Sequence, residues 1–148
     1  NFYQLSADQG YDRAQRNLAY MYEKGKGVPK DEKKAFEWYL LSAEQGNASA
    51  QNSVGNKYYW GKGIEKNHQE AVKWYRLSAD QGDHKAQKNL GYMYSKGKGV
   101  NKDEKESLRW YTLSAEQGNA SAQNTVGNKY YSGKGLKRIM KRPYVGIG

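Results

Sequence analysis

The chain has 148 residues, the length of one ordinary domain, with no cysteine and a formal net charge of +10. The absence of cysteine excludes disulfides, a thiol nucleophile and a Cys-ligated zinc site, and no apolar run is long enough for a signal-peptide core or a membrane span. A mean hydropathy of −1.13 beside 14% aromatic residues excludes an aromatic-poor disordered chain and fits a folded object with much surface, such as a solenoid.

The chain opens with FYQLSADQG from Phe2, and the phrase returns as WYLLSAEQG from Trp38, WYRLSADQG from Trp74 and WYTLSAEQG from Trp110. Gln9, Gln45, Gln81 and Gln117 follow a step of 36 residues, as do Ala14, Ala50, Ala86 and Ala122, and Tyr22, Tyr58, Tyr94 and Tyr130. A period in this range signals stacked repeats. A doubled period lies above it: Ser42–Tyr59 returns as Ser114–Tyr131 with the single change of Ser53 to Thr125, which implies duplication of a two-repeat unit.

Residues 11–46 read as two helices. Ala14, Leu18, Met21, Tyr22 and Gly25 form a stripe at helical spacing in the first. Gly25 and Gly27 end it, because glycine adopts the left-handed conformation a helix C-cap needs. Asp31 is the expected N-cap of the second helix; its equivalents Asn67 and Asp103, with Glu70 and Glu106 three residues on, predict capping boxes. Ala35, Trp38, Tyr39 and Ser42 share one face, with small residues for close approach and aromatics to fill the space beside them. Gly46 stops this helix, and Asn47, Asp83 and Asn119 cap the helices that follow. One such hairpin cannot bury its own stripe, so the core is built by stacking. On this reading Trp74→Ala leaves a cavity costing about 3–5 kcal/mol.

The pattern A-E-Q-G-x-A-x-A-Q-x-x-x-G-x-x-Y, then G-K-G-x-x-K-[DN], then A-x-x-W-Y, resembles the Sel-1-like repeat, a family related to the tetratricopeptide repeat; the resemblance runs from Phe2 to about Leu136. It implies an all-α superhelical solenoid of antiparallel helix pairs, here about seven helices with a broken first and last repeat. It implies a non-catalytic adaptor that holds proteins or peptides together, with neighbouring repeats in a longer parent chain. The expected divisions are a partial repeat over 1–10, repeats over 11–46, 47–82 and 83–118, a partial repeat over 119–136, and a basic tail over 137–148. In that tail Pro143 takes the place of Ala35 and Ala71, and Gly146 and Ile147 stand where Trp and Tyr are expected. Leu136, Ile139 and Met140 could cover the last helix, or the end is disordered.

No catalytic, metal or cofactor constellation is expected. His68 and His84 have no repeat equivalents and read as exposed helix-start residues. GNKYYWGKG has five residues between Gly55 and Gly61 where a phosphate loop has four, and Gly63 replaces its Ser or Thr. The family's cysteine-rich, β-lactam-binding members have no counterpart here. Two glycosylation triplets, at Asn47 and Asn119, fall where Asn is a natural cap.

Half of the excess charge comes from Lys134, Lys137, Arg138, Lys141 and Arg142. A basic balance favours acidic partners, a peptide or protein first, with a nucleic acid or another polyanion as the alternative. The lysines also serve simply to solvate a large surface. A cytoplasmic location is the expectation in the absence of a signal peptide.

Residues released from packing should meet the partner. On each first helix one stripe departs from the packing pattern: Arg13, Asn17, Tyr20 and Lys24; Ser49, Ser53, Asn56 and Trp60; Lys85, Asn89, Tyr92 and Lys96; Ser121, Thr125, Asn128 and Ser132. The family resemblance places first helices on the concave surface. There Asn would bond an extended backbone, Lys and Arg would attract carboxylates, and Tyr would supply rigid contact area. Trp60, whose equivalents are Lys24, Lys96 and Ser132, is the sharpest candidate, as a hot spot or as local packing.

Overall fold

The computed structural model describes residues 2–132 and contains, among them, eight helices and no strand. They are α1 (Phe2–Asp8), α2 (Asp12–Lys24), α3 (Glu32–Glu44), α4 (Ala48–Trp60), α5 (His68–Asp80), α6 (His84–Lys96), α7 (Glu104–Glu116) and α8 (Ala120–Tyr131). Each packs on the next, α2 with α3, α4 with α5 and α6 with α7 forming the hairpins. The count is eight rather than about seven because the short α1 holds without a hairpin partner. Its Ala7 is buried against Ala14 and Leu18, and Gln15 Nε2 donates to the Ala7 carbonyl at 3.3 Å. The tail over 137–148, with its suggested cover of Ile139 and Met140, and Leu136, lies outside the described residues.

The recurring polar residues tie the two helices of a hairpin together and tie each hairpin to the helix before it. Ser42, Ser78 and Ser114 Oγ donate to the carbonyls of Asp12, Ala48 and His84, at 2.7, 2.7 and 2.6 Å. Gln45, Gln81 and Gln117 donate to the side-chain oxygens of Gln15, Gln51 and Gln87, which in turn donate to the carbonyls of Ala7, Ala43 and Ala79. The serines are fully buried, so each of these bonds satisfies a group that would otherwise be costly to desolvate. The phrase LSADQG is therefore a docking strip as well as a helix end.

In the first two Trp-Tyr pairs the tyrosine is the deeper. Tyr39 and Tyr75 are 4% and 3% exposed, whereas Trp38 and Trp74 are half-buried; Trp110 alone is enclosed like its tyrosine. The reason is the first helix of the same hairpin: a Cβ on Gly55 would stand 2.5 Å from the Tyr75 ring, and one on Gly91 3.0 Å from Tyr111. The ring lies on bare backbone, and the tryptophan is left at the edge. Trp74→Ala accordingly opens less of a cavity than full burial would imply.

The helix ends follow the expected chemistry with one departure. Asp31, Asn67 and Asp103 accept from the amides of Lys34, Glu70 and Glu106. The reciprocal half of a capping box is not made. The cap residues' own N–H groups donate instead to the carbonyls of Tyr22, Tyr58 and Tyr94 at 2.9, 2.9 and 3.0 Å, which locks each loop onto the helix before it. Asn47, Asp83 and Asn119 cap α4, α6 and α8. The Asn47 and Asn119 amides are also engaged, with Asp12 at 2.8 Å and with the His84 ring at 2.9 Å.

The doubled period is visible at the junctions. At the first, Lys57 is 3% exposed and its Nζ donates to Glu23 and Glu32, both at 2.8 Å, while Tyr39 Oη donates to Glu23 at 2.8 Å. At the third, Lys129 reaches Glu104 at 3.2 Å. At the second, fully buried Met93 stands in the place of lysine, and Tyr59 and His68 replace the two glutamates.

Two outcomes follow from these contacts. Gly63 has φ of 77° and a Cβ there would lie 2.2 Å from the Glu32 carbonyl, whereas Gly46, with φ of 96°, has open space. Gly63→Ala should cost about 3 kcal/mol or more and Gly46→Ala about 1 kcal/mol, read from denaturant midpoints. For Glu23, burial raises the pKa, but the Lys57 and Tyr39 hydrogen bonds outweigh it and hold the carboxyl below its ordinary 4.5. The resulting stability is complete above that ordinary value and is lost as pH falls through the lower folded value. Lys57→Met, which copies Met21 and Met93, should retain the fold and show a smaller loss of midpoint on acidification than the parent chain.

Candidate functional site

The first helices α4, α6 and α8 frame a cleft of about 350 Å³, with Tyr75 of α5 and Tyr111 of α7 behind them. Its floor is an amide network. Tyr75 Oη donates to Asn56 Oδ1 at 2.6 Å, and Asn89 Nδ2 donates to Asn52 Oδ1 at 3.0 Å and, more loosely, to Asn56 Oδ1 at 3.5 Å. Burial pushes the Tyr75 phenol well above its usual range and Tyr111 up to about 12, so both remain neutral. The Asn56 Nδ2 donor and the Asn89 Oδ1 acceptor are left open, without a partner among the described residues and not sealed from solvent. A donor and an acceptor side by side match the N–H and C=O of an extended chain.

One wall is aromatic, and its two tyrosines are bonded to a cation outside the lining. Lys98 Nζ donates to Tyr59 Oη at 3.0 Å and to Tyr92 Oη at 3.5 Å, and lies 5.3 and 5.4 Å from the two ring centroids. Tyr59 Oη donates to Tyr92 Oη at 3.5 Å. Hydrogen bonding from Tyr59, helped by Lys98, lowers the Tyr92 phenol, and the same tyrosines raise Lys98. Trp60 is 66% exposed, edge-on to Tyr59 with centroids 4.9 Å apart. It is a rim residue, not core packing. Lys88 and Ser121 and Thr125 complete the lining, which contains no carboxylate.

Of the stripe read from the sequence, Asn56, Trp60, Asn89 and Tyr92 converge here together with Ser121 and Thr125. Arg13, Lys85, Lys96 and Asn128 are exposed outside the lining. At the other end Arg16 rather than Arg13 spans the junction, donating to Ser49 at 3.4 Å and to Asn17 at 3.1 Å. Exposed Tyr20 lies beneath Lys24 and Lys26, 5.9 and 5.1 Å from its centroid.

Tyr59, Lys88 and Lys98 were not singled out by the stripe. Tyr59 carried a signal, since its equivalents are Glu23, Ser95 and Tyr131 and the scaffold does not demand tyrosine. Lys98 was hidden because a lysine recurs in every GKG turn. The histidines begin helices as expected, but both are half-buried. His68 stacks on Tyr59 with centroids 5.1 Å apart, its Nε2 is buried without a partner, and burial lowers its pKa. Among the described residues no group of three or more His, Cys, Asp or Glu side chains could hold a metal ion, and no helix is long and apolar enough to cross a membrane.

The model of the Sel1 repeat matches residues 12–47, 48–83 and 84–119. No curated protein matches the chain. Among solved structures, c5321, a protective antigen of uropathogenic Escherichia coli displaying an SLR fold, is 39% identical with a TM-score of 0.85 over 88% of this chain and 28% of its own. A Sel1 repeat protein from Oxalobacter formigenes is 45% identical with a TM-score of 0.80 over 86% of this chain and 52% of its own. The chain thus spans about half of that protein and less of the antigen. Cysteine-rich protein B of Helicobacter pylori, at 24% identity and a TM-score of 0.66 over 81% of this chain and 92% of its own, shares the fold. Sel1 repeats are a non-catalytic scaffold family whose members generally mediate protein–protein interaction. With the matched repeats covering most of its length, the chain belongs to the Sel1 repeat family.

Proposed function

We propose that this array is a non-catalytic scaffold that holds a partner protein by an extended, acidic segment laid in the cleft between α4, α6 and α8. The observation that carries this reading is the cleft's inventory: an open amide donor and acceptor, exposed aromatic surface, the cation Lys88 in the lining and Lys98 bonded to its Tyr59 and Tyr92, with no carboxylate among the lining residues. The general role of Sel1 repeats supports it. The acidic character of the partner rests on charge complementarity, which governs encounter rate and specificity more than raw affinity. Arg13, Asn17, Tyr20 and Lys24 would extend the same path over α2, and Lys85, Lys96 and Asn128 would flank it.

The test is site-specific photo-crosslinking in cells. A photoreactive side chain at Lys88, in the cleft, should give discrete protein adducts, and one at Lys73, exposed on α5, should give few. Adducts that form equally at Lys73, or that prove to be nucleic acid, contradict the proposal.

A further inference from the structure

Resting on that reading of the cleft, we infer that Lys98 and Tyr92 clamp the side-chain carboxylate of one Asp or Glu in the partner, while Trp60 takes an aromatic side chain one or two residues away.

The clamp follows from counting hydrogens. An ammonium has three N–H donors. Two of those on Lys98 go to Tyr59 Oη and Tyr92 Oη, and none goes to a carboxylate among the described residues. The third is open. Tyr92 Oη accepts from Lys98 and from Tyr59, so its own hydrogen is also unused. The two free donors sit on atoms 3.5 Å apart, a separation that the two oxygens of a single carboxylate can bridge. The Tyr59 hydrogen bond that lowers the Tyr92 phenol also makes it the better donor. The charge of Lys98, with Lys88 in the lining of the same cleft and no carboxylate among the lining residues, disfavours a cation there.

Trp60 supplies the second point. Its ring is open to solvent, and the repeat does not require it, since Lys24, Lys96 and Ser132 hold the equivalent positions. Tyr59 connects it to the clamp: the Tyr59 centroid is 4.9 Å from Trp60 and 6.2 Å from Tyr92. An extended chain advances about 3.3 Å per residue, and the Asp or Glu and aromatic side chains add their own reach, so positions one or two apart can cover the two steps together. Tryptophan and tyrosine are enriched among the residues that carry most of the binding energy at interfaces, and a charge-assisted hydrogen bond is stronger than a neutral one.

The experiment selects short random peptides displayed on phage against the immobilised chain, then measures amidated synthetic copies so that only side-chain carboxylates count. The expected winners carry Asp or Glu one or two residues from Phe, Tyr or Trp. Replacing that acid by its amide should weaken binding about tenfold, Lys98→Gln should do the same, and Tyr92→Phe, which removes one O–H and keeps the ring, about fivefold. The acid-to-amide change and Lys98→Gln should not compound, because both remove one contact. Trp60→Ala should abolish the preference for an aromatic neighbour. Trp60 is exposed and Tyr92→Phe isosteric, so unchanged thermal melting is expected of both. Peptides that need Lys88 and Asn89 but are indifferent to Lys98→Gln and Tyr92→Phe would overturn the clamp and leave the groove reading standing. Peptides indifferent to every cleft residue would overturn both.

Discussion

Everything in this molecule depends on a surface that no hairpin owns alone. One core cluster joins Ala19, Ala35 and Tyr39 of the first hairpin to Ala50 and Val54 of the second, another joins Ala71, Val72 and Tyr75 of the second to Ala86, Leu90 and Met93 of the third, and Gln51 and Gln87 reach the Ala43 and Ala79 carbonyls of the hairpin before. Small residues permit the approach, aromatics fill it, and the Gln–carbonyl bonds satisfy polar groups that the approach buries. Separate two hairpins and each exposes apolar side chains and leaves the Gln51 and Gln87 amides without partners. The fold is therefore additive along the chain, with each repeat's stability borrowed from its neighbours.

That constraint positions the cleft. Because packing claims one face of every first helix, the opposite face is free to vary, and it varies with a period of two repeats. Odd repeats present Arg13, Tyr20 and Lys24, then Lys85, Tyr92 and Lys96; even repeats present Ser49, Asn56 and Trp60, then Ser121, Asn128 and Ser132. The cleft forms where an even helix, α4, meets an odd one, α6, so amides and a tryptophan face a tyrosine and lysines. The same alternation reaches the interior. The junction between α2 and α4 encloses Lys57 with two glutamates, while Met93 with Tyr59 and His68 fills the next. Replacing Glu23 and Glu32 by Tyr59 and His68 is what brings aromatic surface to the cleft rim.

Most of the fold was legible because its rules are local. Capping residues, paired glycines and the spacing of Ala14, Leu18, Ala35 and Tyr39 each depend on a few neighbouring residues, and four repeats state them in unison. What was not legible depends on contacts between helices. Whether Trp74 or Tyr75 lies deeper is decided by Gly55 on another helix. The reciprocal arm of the capping boxes loses to the Tyr22, Tyr58 and Tyr94 carbonyls, which the helix-start sequence does not contain. At the site, helical spacing found the face that carries Asn56, Trp60, Asn89 and Tyr92. It could not find Lys98, which reaches the cleft from a turn, nor decide that Arg16 and not Arg13 spans the first junction.

Native-state hydrogen exchange tests the shared interior most directly. If hairpins complete one another, the amides of α4, α5 and α6 exchange slowest and with a common opening free energy, and protection declines toward α1 and α8. Hairpins that open independently, with α4 and α5 no better protected than α1, would show that each stands alone and would remove the physical basis for a cleft built between them.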